Sequence, residues 1–508
     1  MLLRSRGANS IPLPDSTQLA CEELLRSAPL QHGTNRARKA IHRLLISIWV
    51  RRWVPTEANR FPCPTERALI LISLRGDGGH ANPEEMTGYI AHLEHCIRLC
   101  MLVEILDRST VESGVDHLEA CDDLEPWFTE GATQSTFHKL RSLTHRATSM
   151  AMLTMSNPSI FWTDRAHYSE MIFQGHQIRF EDLRKAVHDI QEGAVGVWEN
   201  GVLLGLPIRV DYEHIVDNMA DCRVGYSCFQ DPRNECFKDK DRLWRAVLTN
   251  DQLRERFLRV GVDGGVVWNR TALFRWLQDY GRFSGLLMTL AETTAGSAIR
   301  ATELHAMIAN NTKSRSSRNF LVMGDYCALM VRYTKTGSMQ KHDRTIPHAL
   351  DAVTADLMVQ DHAIARPFAR RVAKILFPED VDKRALFQSR LFINVFKPFD
   401  TDKLTEILGD FMEARTGMRI GVRSWRQIST GFKRKRCSAA MDLYGGALDD
   451  MESIDSLQMG HCRTTDRLRY AVSTDDLASA PAEDIIPLFL DASVDWQVEL
   501  GVVPGESI

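Results

Sequence analysis

The sequence predicts a mainly α-helical fold with a small β-sheet, which places the chain in the α+β class. Apolar residues recur at helical spacing in several segments, among them 87–105, 180–190 and 250–260. Residues 328–333 are typical of a strand, and 344–347 of a return strand after a glycine-containing turn. The composition, 44% hydrophobic and 25% charged, is that of a globular protein.

The length of 508 residues predicts several domains, because one domain usually takes about 100–200 residues. The predicted segments are an N-terminal arm (1–44), a helical accessory domain (45–133), a second helical domain (134–265), a mainly helical domain with the small sheet (266–474) and an acidic C-terminal tail (475–508). The tail has apolar side chains in a charged setting. Two interpretations of it stay open: it folds back on its own domain, or it docks onto a neighbouring subunit.

The net charge of −4 conceals an asymmetry along the chain. Residues 281–470 contain 29 Lys or Arg and 21 Asp or Glu, whereas 471–508 contain eight acidic residues and no basic ones. Residues 415–436 carry eight basic side chains and no acidic ones, a density suited to DNA phosphates. For the run 433–436, the alternative is a surface or nuclear-targeting sequence. The predicted DNA contacts are Arg415, Arg419, Lys433, Arg434, Lys435 and Arg436.

The eleven cysteines are scattered and odd in number, which favours reduced thiols in a cytosolic or nuclear protein. No Cys-x-x-Cys pair is present, so no metal site is predicted. No apolar stretch approaches the ~18 residues of a membrane span, and the first residues lack a signal-peptide core. The expectation is an intracellular protein without a membrane partner.

Five ionisable residues suggest a chemistry: Arg300, Lys335, Arg426, His461 and Tyr470. Cleaving a phosphodiester without metal requires an activated nucleophile, cations for the phosphorane oxygens and an acid for the leaving hydroxyl. A tyrosine can be the nucleophile if fixed positive charge stabilises its phenolate, since its usual pKa is near ~10. Guanidinium groups suit this task because they grip two phosphate oxygens and keep their proton.

The local sequence around these residues is more specific than the residue types. Arg300 is followed three residues later by Glu303, a spacing at which a helical arginine meets an orienting acid. Lys335 lies in the predicted turn between the two strands. A Gly-His pair ends at His461, and Tyr470 follows nine residues later.

In this order and in these contexts, the five residues resemble the active site of the tyrosine recombinase family. The wider sequence, roughly 45–480, resembles the recombinase-like region of fungal Crypton elements and of fungal RecQ-like helicase proteins, for example in 61–64, 231–234 and 366–368. The chain contains no Gly-x-x-x-x-Gly-Lys-Ser/Thr phosphate loop, so helicase activity in this polypeptide is not expected.

The resemblance implies a site-specific DNA recombinase or transposase that cuts and rejoins DNA through a 3′-phosphotyrosyl intermediate. Tyr470 is then the nucleophile, Lys335 the general acid, and Arg300, Arg426 and His461 stabilise the phosphate. Residues 134–265 correspond to a core-binding domain that clamps DNA and 266–474 to the catalytic domain. The expected partners are double-stranded DNA and further copies of the chain, as a dimer or tetramer on DNA. No cofactor is implied, and the expected location is the nucleus.

One position departs from the family pattern. Arg423 stands where the family usually carries a histidine, three residues before Arg426. Arginine cannot act as a general base, so the tyrosine proton must go to water or to His461. The alternative is therefore a catalytically inactive DNA-binding protein derived from a tyrosine recombinase; a type IB topoisomerase is a weaker one.

Overall fold

The computed structural model describes residues 13–27, 35–57, 59–109, 114–129, 132–154, 160–260, 265–315, 317–331, 346–395, 397–437 and 485–507. The chain divides into two compact units, residues 1–158 and 159–508. None of the helices in the described part of the chain combines the length and the apolar character that crossing a membrane requires.

The regular elements described in the first unit are helices, joined by loops and turns. Its helices are α1 (Asp15–Ser27), α2 (Asn35–Trp49), α3 (Pro64–Ser73), α4 (Pro83–Arg108), α5 (His117–Phe128) and α6 (Thr136–Thr154). Helix α4 begins with a capping box and includes the predicted helical segment 87–105. Its buried side chains, such as Ile97 and Met101, pack with Phe137 and Leu140 of α6. The predicted arm, 1–44, contains α1 and most of α2.

The second unit surrounds one long helix. Its helices are α7 (Phe180–Val197), α8 (Arg242–Thr249), α9 (Asp251–Phe257), α10 (Arg270–Thr294), α11 (Ala301–Leu304), α12 (Ala352–Gln360), α13 (Arg366–Leu376), α14 (Val381–Ser389), α15 (Thr401–Thr416), α16 (Val422–Arg436) and α17 (Ile485–Leu500). From Phe283 to Thr294, every residue of α10 is buried. Helices α7, α13 and α15 all pack on it.

Residues on both sides of the predicted 265/266 boundary share one hydrophobic core. Leu183 and Val187 of α7 belong to the same buried cluster as Trp276 of α10 and Trp425 of α16. The division at 158/159 also falls within the predicted 134–265 domain, because α6 packs on α4. The second unit therefore combines part of the expected core-binding domain with the expected catalytic domain.

The described part of the second unit also contains three small antiparallel sheets. They are β1 (Ile160–Trp162), β2 (Glu170–Phe173) and β3 (His176–Arg179); β4 (Leu258–Val260) and β5 (Val266–Trp268); and β6 (Phe320–Met323), β7 (Tyr326–Val331) and β8 (Ile346–Ala349). Strands β7 and β8 pair with Met330 opposite Pro347, which confirms the two strands predicted around the turn. The predicted helix 250–260 is wrong at its end, because Leu258 pairs with Trp268 in β4 and β5.

Helix α17, in the predicted tail, packs on its own chain. Trp496 is fully buried, and its indole Nε1 donates a 2.9 Å hydrogen bond to the Thr293 carbonyl of α10. Gln497 donates to the Ala349 carbonyl of β8 at 2.9 Å. Of the two interpretations of the tail, this arrangement matches folding back on its own domain.

Candidate functional site

Arg300 lies directly after a turn that leaves helix α10. Gly296 has a φ of +85°, a left-handed conformation that side-chain-bearing residues rarely adopt. Arg300 itself has extended backbone and occupies the N-cap position of the short helix α11. Its sequence context predicted an arginine inside a helix. Its guanidinium donates a 2.8 Å hydrogen bond to Glu303, one turn later. The pairing that the sequence spacing predicted is present, with both side chains largely buried.

Arg426 comes from a different element, helix α16. Trp425, Ile428 and Phe432 form the buried side of this helix, and the Trp425 indole donates to the Glu292 carbonyl of α10 at 3.4 Å. This packing fixes the phase of the helix. Arg426 is consequently half-buried on the adjoining side, towards Arg300.

The two arginines line one open cleft of about 760 Å³. The cleft wall is rich in arginine and hydroxyl side chains: Arg300, Thr302, Thr401, Thr405, Arg423, Ser424, Arg426, Gln427, Thr430 and Arg434, with Ile160, Ala301, Gly421, Val422 and Gly431. Arg423, Gln427, Thr430 and Arg434 follow helical spacing along one face of α16. The cleft therefore joins the two predicted arginine segments, which are far apart in the chain.

The electrostatics of the cleft favour a bound anion. Burial lowers the pKa of the Arg426 guanidinium, Glu292 opposes that effect and Arg300 adds to it. The guanidinium nevertheless stays protonated, as arginine does in proteins. Its buried Nε has no hydrogen-bond acceptor among the residues that the structure describes. Such a donor suits a ligand oxygen, because buried polar groups are normally paired.

Glu292 is a buried acid of α10 that the sequence reasoning missed. Burial raises the pKa of its carboxyl well above the usual range, against the smaller opposing effects of Arg426 and the Ile299 backbone amide. Burial therefore disfavours a negative charge on Glu292. The charged side chains that line the cleft are those of Arg300, Arg423, Arg426 and Arg434.

Lys433 is not the surface cation that the basic run predicted. Its side chain is only 3% exposed and donates a 2.8 Å hydrogen bond to the Ser297 hydroxyl. Its ammonium also lies 5.8 Å from the ring centre of Trp496. The phase of α16 turns this residue towards the core, an arrangement that does not suit the predicted contact of Lys433 with DNA.

The other predicted DNA contacts differ in how far their charge is available. Arg415 makes a two-pronged ion pair with Asp189 at 2.5 and 2.6 Å. Arg419 pairs with Asp410 at 2.7 Å and Glu413 at 3.1 Å. These carboxylates neutralise both arginines locally.

Within the run itself, Arg436 pairs with Glu499 at 2.6 Å and also lies over the Phe180 ring. Lys435 is exposed and lies 5.1 Å from the ring centre of Tyr168. Arg434 is exposed and lines the cleft. The run therefore divides between the core, the surface and the site.

Three predicted catalytic residues, Lys335, His461 and Tyr470, lie outside the described residues. Arg423, at the position where the family carries histidine, is exposed and lines the cleft. Arg434 was predicted as a DNA contact but not as part of the site, although it lies three helical turns after Arg423, a spacing that the sequence shows.

No group of three or more His, Cys, Asp or Glu side chains suited to a metal ion occurs in the described part of the chain. The cysteines described by the structure are free thiols. In comparisons with known proteins, no family model, no curated protein and no solved structure matches this chain.

Proposed function

We propose that this protein is a site-specific DNA recombinase or transposase that cuts and rejoins DNA through a 3′-phosphotyrosyl intermediate. One observation carries the proposal: Arg300 and Arg426 come from distant parts of the chain and line one cleft. If both arginines were ordinary surface residues, there would be no reason for them to line the same cleft. Two guanidinium groups at one open site suit the non-bridging oxygens of a phosphodiester.

The chemistry divides between the cleft and residues outside the described part of the chain. In the proposed reaction, the Tyr470 oxygen forms a bond to phosphorus while the bond from phosphorus to the 5′ oxygen breaks. The phenol proton passes to water or to His461, and Lys335 protonates the leaving 5′ oxygen. A 5′-hydroxyl of a second strand then reverses the step and releases Tyr470. Arg300 and Arg426 stabilise the charge on the pentacovalent phosphate.

Glu303 acts through Arg300 and is a positioning residue. Its ion pair at 2.8 Å fixes the orientation of a guanidinium that would otherwise sample several rotamers. Arg423 supplies a further positive charge at the cleft but no base. In the proposed mechanism it binds the DNA backbone, because a guanidinium contacts phosphate and does not accept a proton.

The test is a suicide-substrate assay on a randomised library of nicked duplexes. The nick makes the strand that carries the freed 5′-hydroxyl short, so this fragment diffuses away after cleavage. The covalent protein–DNA adduct then accumulates, and it survives denaturation. The expected result is an adduct that maps to Tyr470 and disappears in Tyr470→Phe, while the variant still binds DNA. Adducts that persist in Tyr470→Phe would refute the assignment of the nucleophile.

A second candidate is a catalytically inactive DNA-binding protein that keeps the cleft. Arg423 favours it, since the usual histidine is replaced by a residue that cannot be a base. This candidate predicts that selection enriches a bound sequence without forming any adduct. In that case Arg423→His is the first variant to make. Recovery of the adduct in this variant would identify the arginine at position 423 as the cause of the lost activity.

A further inference from the structure

Helix α4 of the first unit has two apolar faces. One face is buried: Ile90, Ile97 and Met101 are at most 2% exposed and contact the core of this unit. With 26 residues, the helix is about 39 Å long at ~1.5 Å per residue. A helix that only covers the core of its own unit needs one apolar face.

The opposite face carries a second stripe, which we call the α4 seam. It consists of Tyr89, His92, Cys96, Leu99, Val103 and Leu106, all exposed. Successive members are alternately three and four residues apart, the spacing at which one helix meets another along a continuous line. The large apolar members are about half exposed, from 46% for Val103 to 57% for Leu106. Leu102, which is 59% exposed, widens the stripe.

The seam contains no Lys, Arg, Asp or Glu. A surface that binds nucleic acid would carry basic side chains, and so would a helix that lies on a membrane. Arg98, next to the seam, is held over the ring of buried Phe137 at 5.0 Å. The composition and spacing of the seam therefore fit a partner helix with a similar apolar stripe.

We propose that two copies of this chain form a dimer through the α4 seam in the absence of DNA. In a dimer with a two-fold axis, the same surface of each copy contacts the other copy. The α4 seam of a second copy therefore supplies the apolar helix stripe that the seam of the first copy fits. Val103 lies between Leu99 and Leu106 along the seam. A β-branched residue that alternates with leucine is the combination that favours a pair of helices over larger bundles. The proposal is independent of the recombinase activity.

The test uses the full chain without DNA, in sedimentation equilibrium at micromolar concentration. The wild type is expected at twice the chain mass of 57.6 kDa. The double variant Leu99→Gln with Leu106→Gln is expected at the chain mass, with dimer affinity reduced at least ~100-fold, since four apolar side chains lose their burial. The matched control is Leu118→Gln with Val54→Gln, two exposed apolar residues outside the seam, and it stays dimeric.

A monomeric wild type would overturn the proposal, including the case in which the seam binds a different protein or another part of the same chain. A seam variant that stays dimeric would overturn it as well. Circular dichroism of the seam variant checks that it folds; if it does not, Leu102→Gln alone replaces it. An Arg300→Lys variant is expected to keep the dimer, so failure of the proposed function and failure of the dimer are separate results.

Discussion

The buried ammonium of Lys433 and the hydroxyl of Ser297 are joined by a 2.8 Å hydrogen bond. Lys433 belongs to the helix that carries Arg426, and Ser297 precedes Arg300 by three residues. The bond thus links the two segments that supply the arginines of the cleft. Because Trp496 of α17 lies beside the same ammonium, the C-terminal helix also contacts this link.

Lys433→Met tests whether this residue is structural. Methionine keeps the apolar length of the side chain and removes the charged donor. The free energy of unfolding is expected to fall by about 1–3 kcal/mol, the usual contribution of a hydrogen bond to a charged group, as measured by chemical denaturation. The salt dependence of DNA binding should stay as in the wild type. A loss of about one unit in the salt slope would instead indicate a phosphate contact.

Arg434→Gln tests the cleft as a binding surface for DNA. Because Arg434 is exposed and lines the cleft, removing its charge should make the slope of log K against log salt shallower by about one, with stability changed by less than about 0.5 kcal/mol. Fluorescence anisotropy across a salt series measures the slope. The control is Arg259→Gln, an exposed arginine of β4 outside the cleft. Equal changes in both variants would contradict a specific role for the cleft.

Glu292→Gln tests whether the buried carboxyl is neutral. Burial raises the pKa of this group in the folded state, while the unfolded chain has a value near ~4.3. Between those two values the folded state binds more protons, so the free energy of unfolding of the wild type falls as pH rises, by at most ~1.4 kcal/mol per pH unit. Glutamine does not titrate. The variant should therefore lose less stability than the wild type from about pH 5 to about pH 8.

Thermal and chemical unfolding at several pH values measure this difference. Glu255→Gln, a substitution of the same kind at an exposed position of α9, is the matched control. If Glu292→Gln were instead the less stable protein at the higher pH, the carboxyl would be charged and would stabilise Arg426 as an ion pair.

Trp496→Ala tests how strongly α17 is attached to the second unit. Trp496 is fully buried and donates to the Thr293 carbonyl, so the substitution should lower the free energy of unfolding by about 3–5 kcal/mol. Val498→Ala, on the same helix and 60% exposed, should change it by less than about 0.5 kcal/mol. Similar small effects for both would show that α17 adds little stability.

The sequence predicted elements well where the pattern was long or local. The apolar period of α4 extends over many residues, and strands β7 and β8, which follow each other in the sequence, pair directly. The end of α9 was mistaken because β4 forms by pairing with β5, a contact that no local period records. Likewise, the assignment of α6 to the first unit depends on its packing against α4.

At the candidate site, too, local relationships could be predicted from the sequence and contacts between distant segments could not. The ion pair of Arg300 with Glu303 follows from a spacing of three residues, whereas the pairing of Arg415 with Asp189 joins distant segments and leaves no local signal. The burial of Lys433 was accessible from the sequence. Trp425, Ile428 and Phe432 fix the inner face of α16, and Lys433 adjoins that face, but composition alone treats every member of a basic run as exposed.

The packing of the basic run at 433–436 also bears on its alternative interpretation as a nuclear-targeting sequence. A transport receptor that recognises four consecutive cations needs all of their side chains to be accessible. In the folded chain Lys433 is buried and Arg436 is engaged by Glu499, so only Arg434 and Lys435 are exposed. In the folded chain, the run therefore presents two accessible cations to such a receptor instead of four.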